Sequence, residues 1–283
     1  RGSGAGRGRQ RARPRPQHSV PGAPRGDGAS VRSLEALRQA AQSDANASAL
    51  ALAVVIADEP ARRARHLKAI GAAFGAKVAI DVERFATQVD GSVPRGRFLA
   101  LQRLLDGVRA LPDADRERLG RAVRKLAGDD PAPSIFRLCF VEMIVARCHA
   151  APAATTSVRD GVPAFAKLLA VLARAGSEDE RAQRRAYDAG FAGLVPGGGP
   201  AFDVPADWTD ALAEGLAGVA RSHPGARRLL RDALGRAVLA DGRVTAEESD
   251  IARAACMLMD VPPPNFGQAA ALTAAPSKAA QPA

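Results

Sequence analysis

The chain has 283 residues, of which 47% are hydrophobic and only 4% aromatic. This is long enough to bury a core in one large or two modest domains. The formal net charge is +10, but residues 1–33 hold eight Arg against the single Asp27, so +7 of it belongs to the N-terminal segment. The remainder is only mildly basic, which excludes an electrostatic case for DNA binding by the folded part.

Both ends of the chain have compositions that favour disorder. Residues 1–33 are Arg, Gly, Pro and Ser with almost nothing to bury, and they predict a disordered linker. Residues 263–283 are Pro- and Ala-rich and predict a disordered tail. The chain begins with Arg1 rather than Met, so we expect a fragment or a processed product of a longer protein.

Between the two ends the apolar residues repeat with helical spacing, and no strand-like alternation occurs. In chain order, apolar stripes run over 78–89 and 101–111, a helix pair covers about 160–194, and further stripes follow in 208–219 and 229–238. Asp113 and Asp207 stand where N-caps are needed. The Gly/Pro-rich segment 196–205 is the clearest internal break. The sequence predicts an all-α protein with helical domains at 34–150 and 151–262.

The two predicted domains share a degenerate repeat. When Asp130 is aligned with Asp241, a shift of 111 residues, each half reads helix, acidic turn, capping hydroxyl, helix. Ser134 then matches Thr245, and Arg137 occupies the place of Glu248. We therefore predict a duplicated helical bundle.

The acidic turn at Asp241 has two interpretations. Asp241, Gly242 and Glu248 match the second half of an EF-hand loop, although the first ligand positions hold residues that cannot coordinate calcium. In the other interpretation Gly242 ends one helix in a left-handed conformation, while Thr245 and Glu248 form a capping box for the next. Capping leaves Asp241 without a role, so a divalent cation bound by Asp241 and Glu248 stays open as an alternative.

No other group of residues predicts catalysis. The four His never fall four apart, and no nucleophile elbow or phosphate loop occurs. Cys139, Cys148 and Cys256 lie within apolar helical patterns, which predicts reduced core cysteines and favours a cytoplasmic location. The most lipid-like run, residues 45–57, is too short to cross a bilayer. We expect no catalytic residue in this chain.

The residues from Val238 to Ile251, with Ala255–Met259 and Pro262–Pro263, resemble the closing motif of TerB-like helical domains. With residues 34–60, 98–121 and 134–136, they are more closely similar to the helical region on the C-terminal side of certain bacterial M48 zinc metallopeptidases. The likeness covers most of residues 34–262. It implies a first, degenerate TerB-like copy at 34–150 and a second copy at 151–262.

The resemblance implies a membrane-tethered zinc protease whose HExxH motif lies outside this chain, so no catalytic role carries over. Zinc is expected only in that missing peptidase domain, and membrane attachment only through a missing upstream segment. The expected partner is the upstream peptidase domain itself or another protein. The TerB likeness implies a divalent cation at Asp241 and Glu248, while Arg137 argues against a second site.

Three functions follow as hypotheses. The first is a non-catalytic regulatory or interaction region of an M48-type metallopeptidase. The second is a stand-alone TerB-like cytoplasmic metal sensor or scaffold. The third is a nucleic-acid accessory protein acting through its Arg-rich tail, but no aromatic residue lies between those arginines to stack on bases, so we expect no specific nucleic-acid partner.

Overall fold

The computed structural model describes residues 27–149, 153–264 and 266, and within them it contains helices and no strand. This confirms the predicted all-α class. A short 3-10 turn at Asp44–Asn46 precedes α2. The α-helices are α1 (Asp27–Ala41), α2 (Ala47–Val55), α3 (Pro60–Phe74), α4 (Ala76–Asp90), α5 (Pro94–Leu101), α6 (Leu104–Ala110), α7 (Asp113–Gly128), α8 (Ile135–Cys148), α9 (Val158–Gly176), α10 (Glu180–Phe191), α11 (Trp208–Ala220), α12 (Pro224–Val238) and α13 (Ala246–Leu258). None of these helices is both long and apolar enough to cross a membrane.

The first half of the fold contains α1–α8 and the second half α9–α13. Helix α2 is the centre of the first half. Eight of its nine residues are buried, as expected for a helix that is hydrophobic on every side. It packs against α4, α6, α7 and α8. Helix α3 packs against α4 but has no comparable contact with α7. Part of the surface between α3 and α7 therefore remains open to solvent.

Helix α9 has the corresponding place in the second half. It packs against α10, α11, α12 and α13. Its contact with α11 is close because Gly215 and Gly218 face it, and a Cβ on Gly215 would lie 2.8 Å from the Cβ of Leu168. Small residues at such a crossing let two helix backbones approach each other.

The predicted repeat agrees with the bounds of the helices on either side of the two aligned turns. Shifting α7 and α8 by 111 residues places them on α12 and α13 to within one residue at every end. The caps correspond as well, because Ser134 caps α8 and Thr245 caps α13. Duplication of the whole bundle stays a prediction.

The two halves share one continuous apolar core. Helix α8 packs against α11 and α13, and the buried side chains form a single cluster that includes both halves. Cys139, Cys148 and Cys256 are buried within this core and have free thiols. The prediction of reduced core cysteines is confirmed.

Several sequence boundaries are corrected or left open by the structure. Helix α1 begins at Asp27, so residues 27–33, predicted as part of the linker, are helical. Asp207 is an N-cap as predicted, but Asp113 is the first residue of α7, which Pro112 precedes. Pro112 fixes the backbone before the helix, and Asp113 instead adds negative charge to the first turn. Most of the predicted disordered segments, residues 1–26 and 267–283, lie outside the described residues.

Candidate functional site

The acidic turn before α13 contains a complete capping box. The backbone N–H of Glu248 donates to the Thr245 hydroxyl at 3.0 Å, and the backbone N–H of Thr245 donates to Oε2 of Glu248 at 2.8 Å. Gly242 ends the preceding turn with a φ of 74°. The predicted capping box of Thr245 and Glu248 is therefore confirmed, and Gly242 has the predicted left-handed conformation. Its predicted place at the end of the helix is wrong, because α12 ends at Val238 and Gly242 lies in the turn that follows.

In the same turn the predicted cation ligands, Asp241 and Glu248, lie close enough for the charge of Asp241 to affect the pKa of Glu248. Burial raises the pKa of Glu248 to about 7, and the charge of Asp241 adds to that rise. Oδ1 of Asp241 accepts a hydrogen bond from the backbone N–H of Arg243 at 2.9 Å. A side chain on Gly176 would collide with Oε1 of Glu248, so α9 closes one side of the carboxylate. Cation binding by Asp241 and Glu248 stays a prediction, and no group of three potential metal ligands occurs in the described part of the chain.

Arg137 gives the equivalent turn of the first half a different chemistry. Its guanidinium forms an ion pair with Asp58 and lies 3.7 Å from the carboxylate of Asp130, the residue aligned with Asp241. Arg62 also donates a hydrogen bond to Oδ1 of Asp130 at 3.2 Å. A fixed guanidinium thus occupies the position where the second half holds the Glu248 carboxylate.

A separate cavity of about 420 Å³ lies between α3 and α7. Its floor is apolar, made by Ile70, Phe74 and Leu126 with alanines from both helices. This volume lies within the range of pockets that bind small molecules. We call it the α3/α7 groove; its lining is Arg65, His66, Ala69, Ile70, Ala73, Phe74, Arg118, Arg121, Ala122, Lys125, Leu126 and Asp129.

His66 is the buried polar residue beside the groove. Its side chain is only 3% exposed, and Nδ1 accepts the backbone N–H of Ala57 at 3.3 Å. The hydrogen of the neutral ring therefore belongs on Nε2. Among the described residues Nε2 has no hydrogen-bond partner, because Oδ2 of Asp129 lies 3.7 Å away. Nε2 is also buried from solvent, so a ligand in the groove cannot contact it. Burial lowers the pKa of His66, which keeps the ring neutral near pH 7.

The rim of the groove is predominantly cationic. Arg65, Arg118, Arg121 and Lys125 line it, against the single carboxylate of Asp129. Arg118 lies over the ring of Phe74, 4.8 Å from its centroid, and forms an ion pair with Asp115 at 2.8 Å. Arg121 pairs with Glu117 on the same helix, so two of the four cations are neutralised by neighbours. Within the described part of the chain, Arg65 and Lys125 form no ion pair. The rim therefore keeps positive charge that is not neutralised locally.

The sequence did not reveal this groove. His66 has no partner at ligand spacing along the chain, and α3 and α7 are separated by three other helices. One signal was present: α3 places His66 one helical turn before Ile70 and two turns before Phe74, a polar group on an otherwise apolar stripe. Recognising it as a site requires knowing that α7 does not cover that stripe.

Comparison of the chain with protein-family models, with curated proteins and with solved structures found no match. The likeness to TerB-like domains and to M48 metallopeptidases therefore rests on the sequence motifs alone.

Proposed function

We propose that this chain is a non-catalytic regulatory region that binds a ligand in the α3/α7 groove. The α3/α7 groove is the observation that carries the proposal, because it combines an apolar floor with a rim that contains the unpaired cations Arg65 and Lys125 among the described residues. A ligand in the groove would remove apolar surface from water, which favours binding.

We propose further that the chain is the helical region of a larger, membrane-associated M48-type zinc metallopeptidase, whose peptidase domain would supply the chemistry. The resemblance of the motifs in residues 34–262 supports this. The groove is linked to the rest of the fold through the turn after α7: Asp129 lies beside His66, and the adjacent Asp130 is held by Arg62 and Arg137. Arg137 belongs to α8, which packs against the second half. A ligand in the groove, beside Asp129, would therefore have a physical route to the interface between the halves.

Groove binding is tested by filling the cavity. Ala69 lines the groove and Ala72 lies on the same helix, exposed and outside it. A library of small amphiphilic fragments is screened by ligand-observed NMR against the wild-type chain and against the Ala69→Trp and Ala72→Trp variants. We expect hits on wild type and Ala72→Trp that disappear with Ala69→Trp. Hits that persist in Ala69→Trp, or an absence of hits on wild type, would contradict the proposal.

The non-catalytic part has its own test. The purified chain is incubated with unfolded protein substrates and zinc, in a preparation shown to be free of contaminating protease. We expect no cleavage. Proteolysis that a chelator abolishes would refute a purely regulatory role.

A further inference from the structure

We infer that the ligand of the α3/α7 groove is a single-chain phosphate monoester whose head group lies between Arg65 and Lys125. Its alkyl chain then lies along the apolar floor, toward Phe74. This inference rests on the proposed function and names the ligand class of the same groove. It depends on three features: the direction of the groove, the distribution of charge along its rim and the volume between its walls.

The groove has two distinct ends because its walls run antiparallel. At one end His66 of α3 lies beside Asp129 of α7, with 3.7 Å between Nε2 and Oδ2. At the other end the guanidinium of Arg118 lies over the ring of Phe74. The step from His66 to Phe74 corresponds to about 12 Å along a helix. A linear ligand can therefore take a defined orientation between the two ends.

Positive charge without a local partner lies at the first of these ends. Arg65 directly precedes His66 on α3, and Lys125 lies one helical turn before Asp129 on α7. Neither cation forms an ion pair with any residue that the structure describes. Asp129 is the single carboxylate in the lining of the groove, so two cations face one carboxylate here. An anionic head group is attracted to this end.

The opposite end is close to neutral. The guanidinium of Arg118 lies 2.8 Å from Oδ1 of Asp115, and that of Arg121 lies 3.5 Å from Oε2 of Glu117. The charges at this end are therefore balanced on α7 itself. Phe74 adds an aromatic surface beside them. This end suits an alkyl chain better than a charged head group.

The arrangement of the two unpaired cations favours a phosphate over a carboxylate. Arg65 and Lys125 come from opposite walls, α3 and α7, so the acceptor oxygens must point in different directions. A phosphate monoester has three terminal oxygens and a charge of about −1.5 to −2 at pH 7, and both cations bind phosphate well. A carboxylate has two oxygens in one plane and a smaller charge. Nε2 of His66 is buried below the rim, and the head group makes no contact with it.

The volume of the groove limits the ligand to one chain. A cavity of about 420 Å³ lies in the lower part of the range for small-molecule pockets, about 300–1,000 Å³. Ile70 and Leu126 supply apolar surface midway between the two ends. A docked protein would need a far larger contact, on the order of 800 Å² on each partner. The groove therefore fits a phosphate with one medium-length alkyl chain.

The inference is tested by NMR titration of the full chain with octyl phosphate. Octanol, octyltrimethylammonium and inorganic phosphate are the comparison ligands, because they lack the charge, reverse it or lack the chain. We expect octyl phosphate to bind with a Kd on the order of 0.3 mM. Octanol should bind about tenfold more weakly, because it lacks both charge contacts, and the other two ligands more weakly still. Added salt should weaken octyl phosphate and leave octanol unchanged.

Charge variants locate the phosphate. Arg65→Gln and Lys125→Gln should each weaken octyl phosphate about three- to fivefold, as expected for exposed charge contacts. Lys68→Gln is the matched control, since Lys68 is exposed on α3 outside the groove, and it should leave the Kd unchanged.

A fourth variant tests the orientation of the ligand. Arg121 lines the same groove, but it pairs with Glu117 at the opposite end. Arg121→Gln should therefore weaken octyl phosphate by less than about twofold. Since all four substituted side chains are exposed, we expect each variant to fold as the wild type does, and thermal denaturation checks this.

The outcomes separate this inference from groove binding itself. Octanol that binds as tightly as octyl phosphate, with both lost in Ala69→Trp, would overturn the phosphate and leave groove binding intact. An equal loss in Arg121→Gln and Arg65→Gln would overturn the placement of the head group. Attachment to anionic lipid vesicles without binding of octyl phosphate would assign the cations to a membrane surface and overturn the ligand class. Octyl phosphate binding that is unchanged in Ala69→Trp would overturn both proposals.

Discussion

The side chain of Glu248 is buried, and its surroundings disfavour the ionised carboxylate. Burial against α9 disfavours the ionised form and raises its pKa to about 7, although two hydrogen bonds from Thr245 act in the opposite direction. The folded protein therefore binds a proton at Glu248 more readily than the unfolded chain does, whose carboxyl keeps an ordinary pKa of 4.5.

This difference sets the sign of a pH dependence. The contribution of Glu248 to stability is fully present below pH 4.5 and is lost as the pH rises through about 7. Replacing Glu248 by Gln removes the titration and keeps an acceptor for Thr245. As the pH rises from 5 to 8, wild type loses this contribution and Glu248→Gln does not. The free energy of unfolding of Glu248→Gln relative to wild type should therefore increase by about 1–3 kcal/mol over this range.

Urea denaturation of both proteins at several pH values measures this gain. Asp250 and His66 titrate in both proteins, so their effects cancel in the difference. Parallel stability profiles of wild type and Glu248→Gln would show that the carboxyl titrates normally in the fold.

The predicted cation site has an equally direct test. If Asp241 and Glu248 bind a divalent cation, then calcium, magnesium, manganese or zinc raises the melting temperature of the wild-type chain. Binding at 100 times the Kd would add about 2.7 kcal/mol to the free energy of unfolding. Asp241→Asn should abolish that rise. If wild type shows no rise with any of the four ions, the turn has a capping role only.

At the level of helices, the crossing of α9 and α11 depends on the absence of a side chain at Gly215. A Cβ there would lie 2.9 Å from the backbone N of Leu168, which cannot move without shifting α9. Gly215→Ala should lower the free energy of unfolding by about 1–3 kcal/mol. Thermal denaturation measures the loss.

Gly71→Ala is the matched control for this prediction. Gly71 also lies inside a helix, α3, but a Cβ there meets only the Cβ of Ala79 at 3.7 Å, an ordinary contact. Alanine favours helix over glycine by up to about 1 kcal/mol. Gly71→Ala should therefore leave stability unchanged or raise it, and an equal loss in both variants would show that the close crossing is not the cause.

The helices themselves were largely predictable from the sequence, because their information is local. The stripe over 101–111 ends at Pro112, and Thr245 with Glu248 forms the predicted capping box. The alignment of Asp130 with Asp241 also places α7 and α8 on α12 and α13 to within one residue at each end. The stripe over 101–111 is nevertheless interrupted, because Leu101 is the last residue of α5 and α6 begins at Leu104.

The groove could not be predicted by the same reasoning. Its walls are separated by α4, α5 and α6, and its existence depends on how far α3 and α7 diverge. His66 reads in the sequence as an isolated histidine on an apolar stripe. Only the packing shows that its Nδ1 accepts a hydrogen bond from Ala57 and that its ring lines the groove with Nε2 buried.

At the level of the whole molecule, the two halves meet through α8 and α13, and this interface contains charge as well as apolar side chains. Asp250 on α13 is 6% exposed, and burial raises its pKa to about 7 despite the nearby Arg97. The guanidinium of Arg97 stacks on Phe136 at 3.8 Å from the ring centroid. Cys139 lies close enough for the charge of Asp250 to raise its pKa further. The interface thus joins residues of α5, α8 and α13.

The central claim is that the α3/α7 groove binds a ligand, and the methyl groups that line it report binding most directly. In protein labelled with ¹³C at its methyl groups, the resonances of Ile70 and Leu126 are followed during a titration with an amphiphilic fragment that binds the wild-type chain. The account predicts that both resonances shift in proportion to the bound fraction, while the methyl groups of Ile251, buried in α13, change little. Resonances of Ile70 and Leu126 that do not move while the fragment is bound would contradict the account.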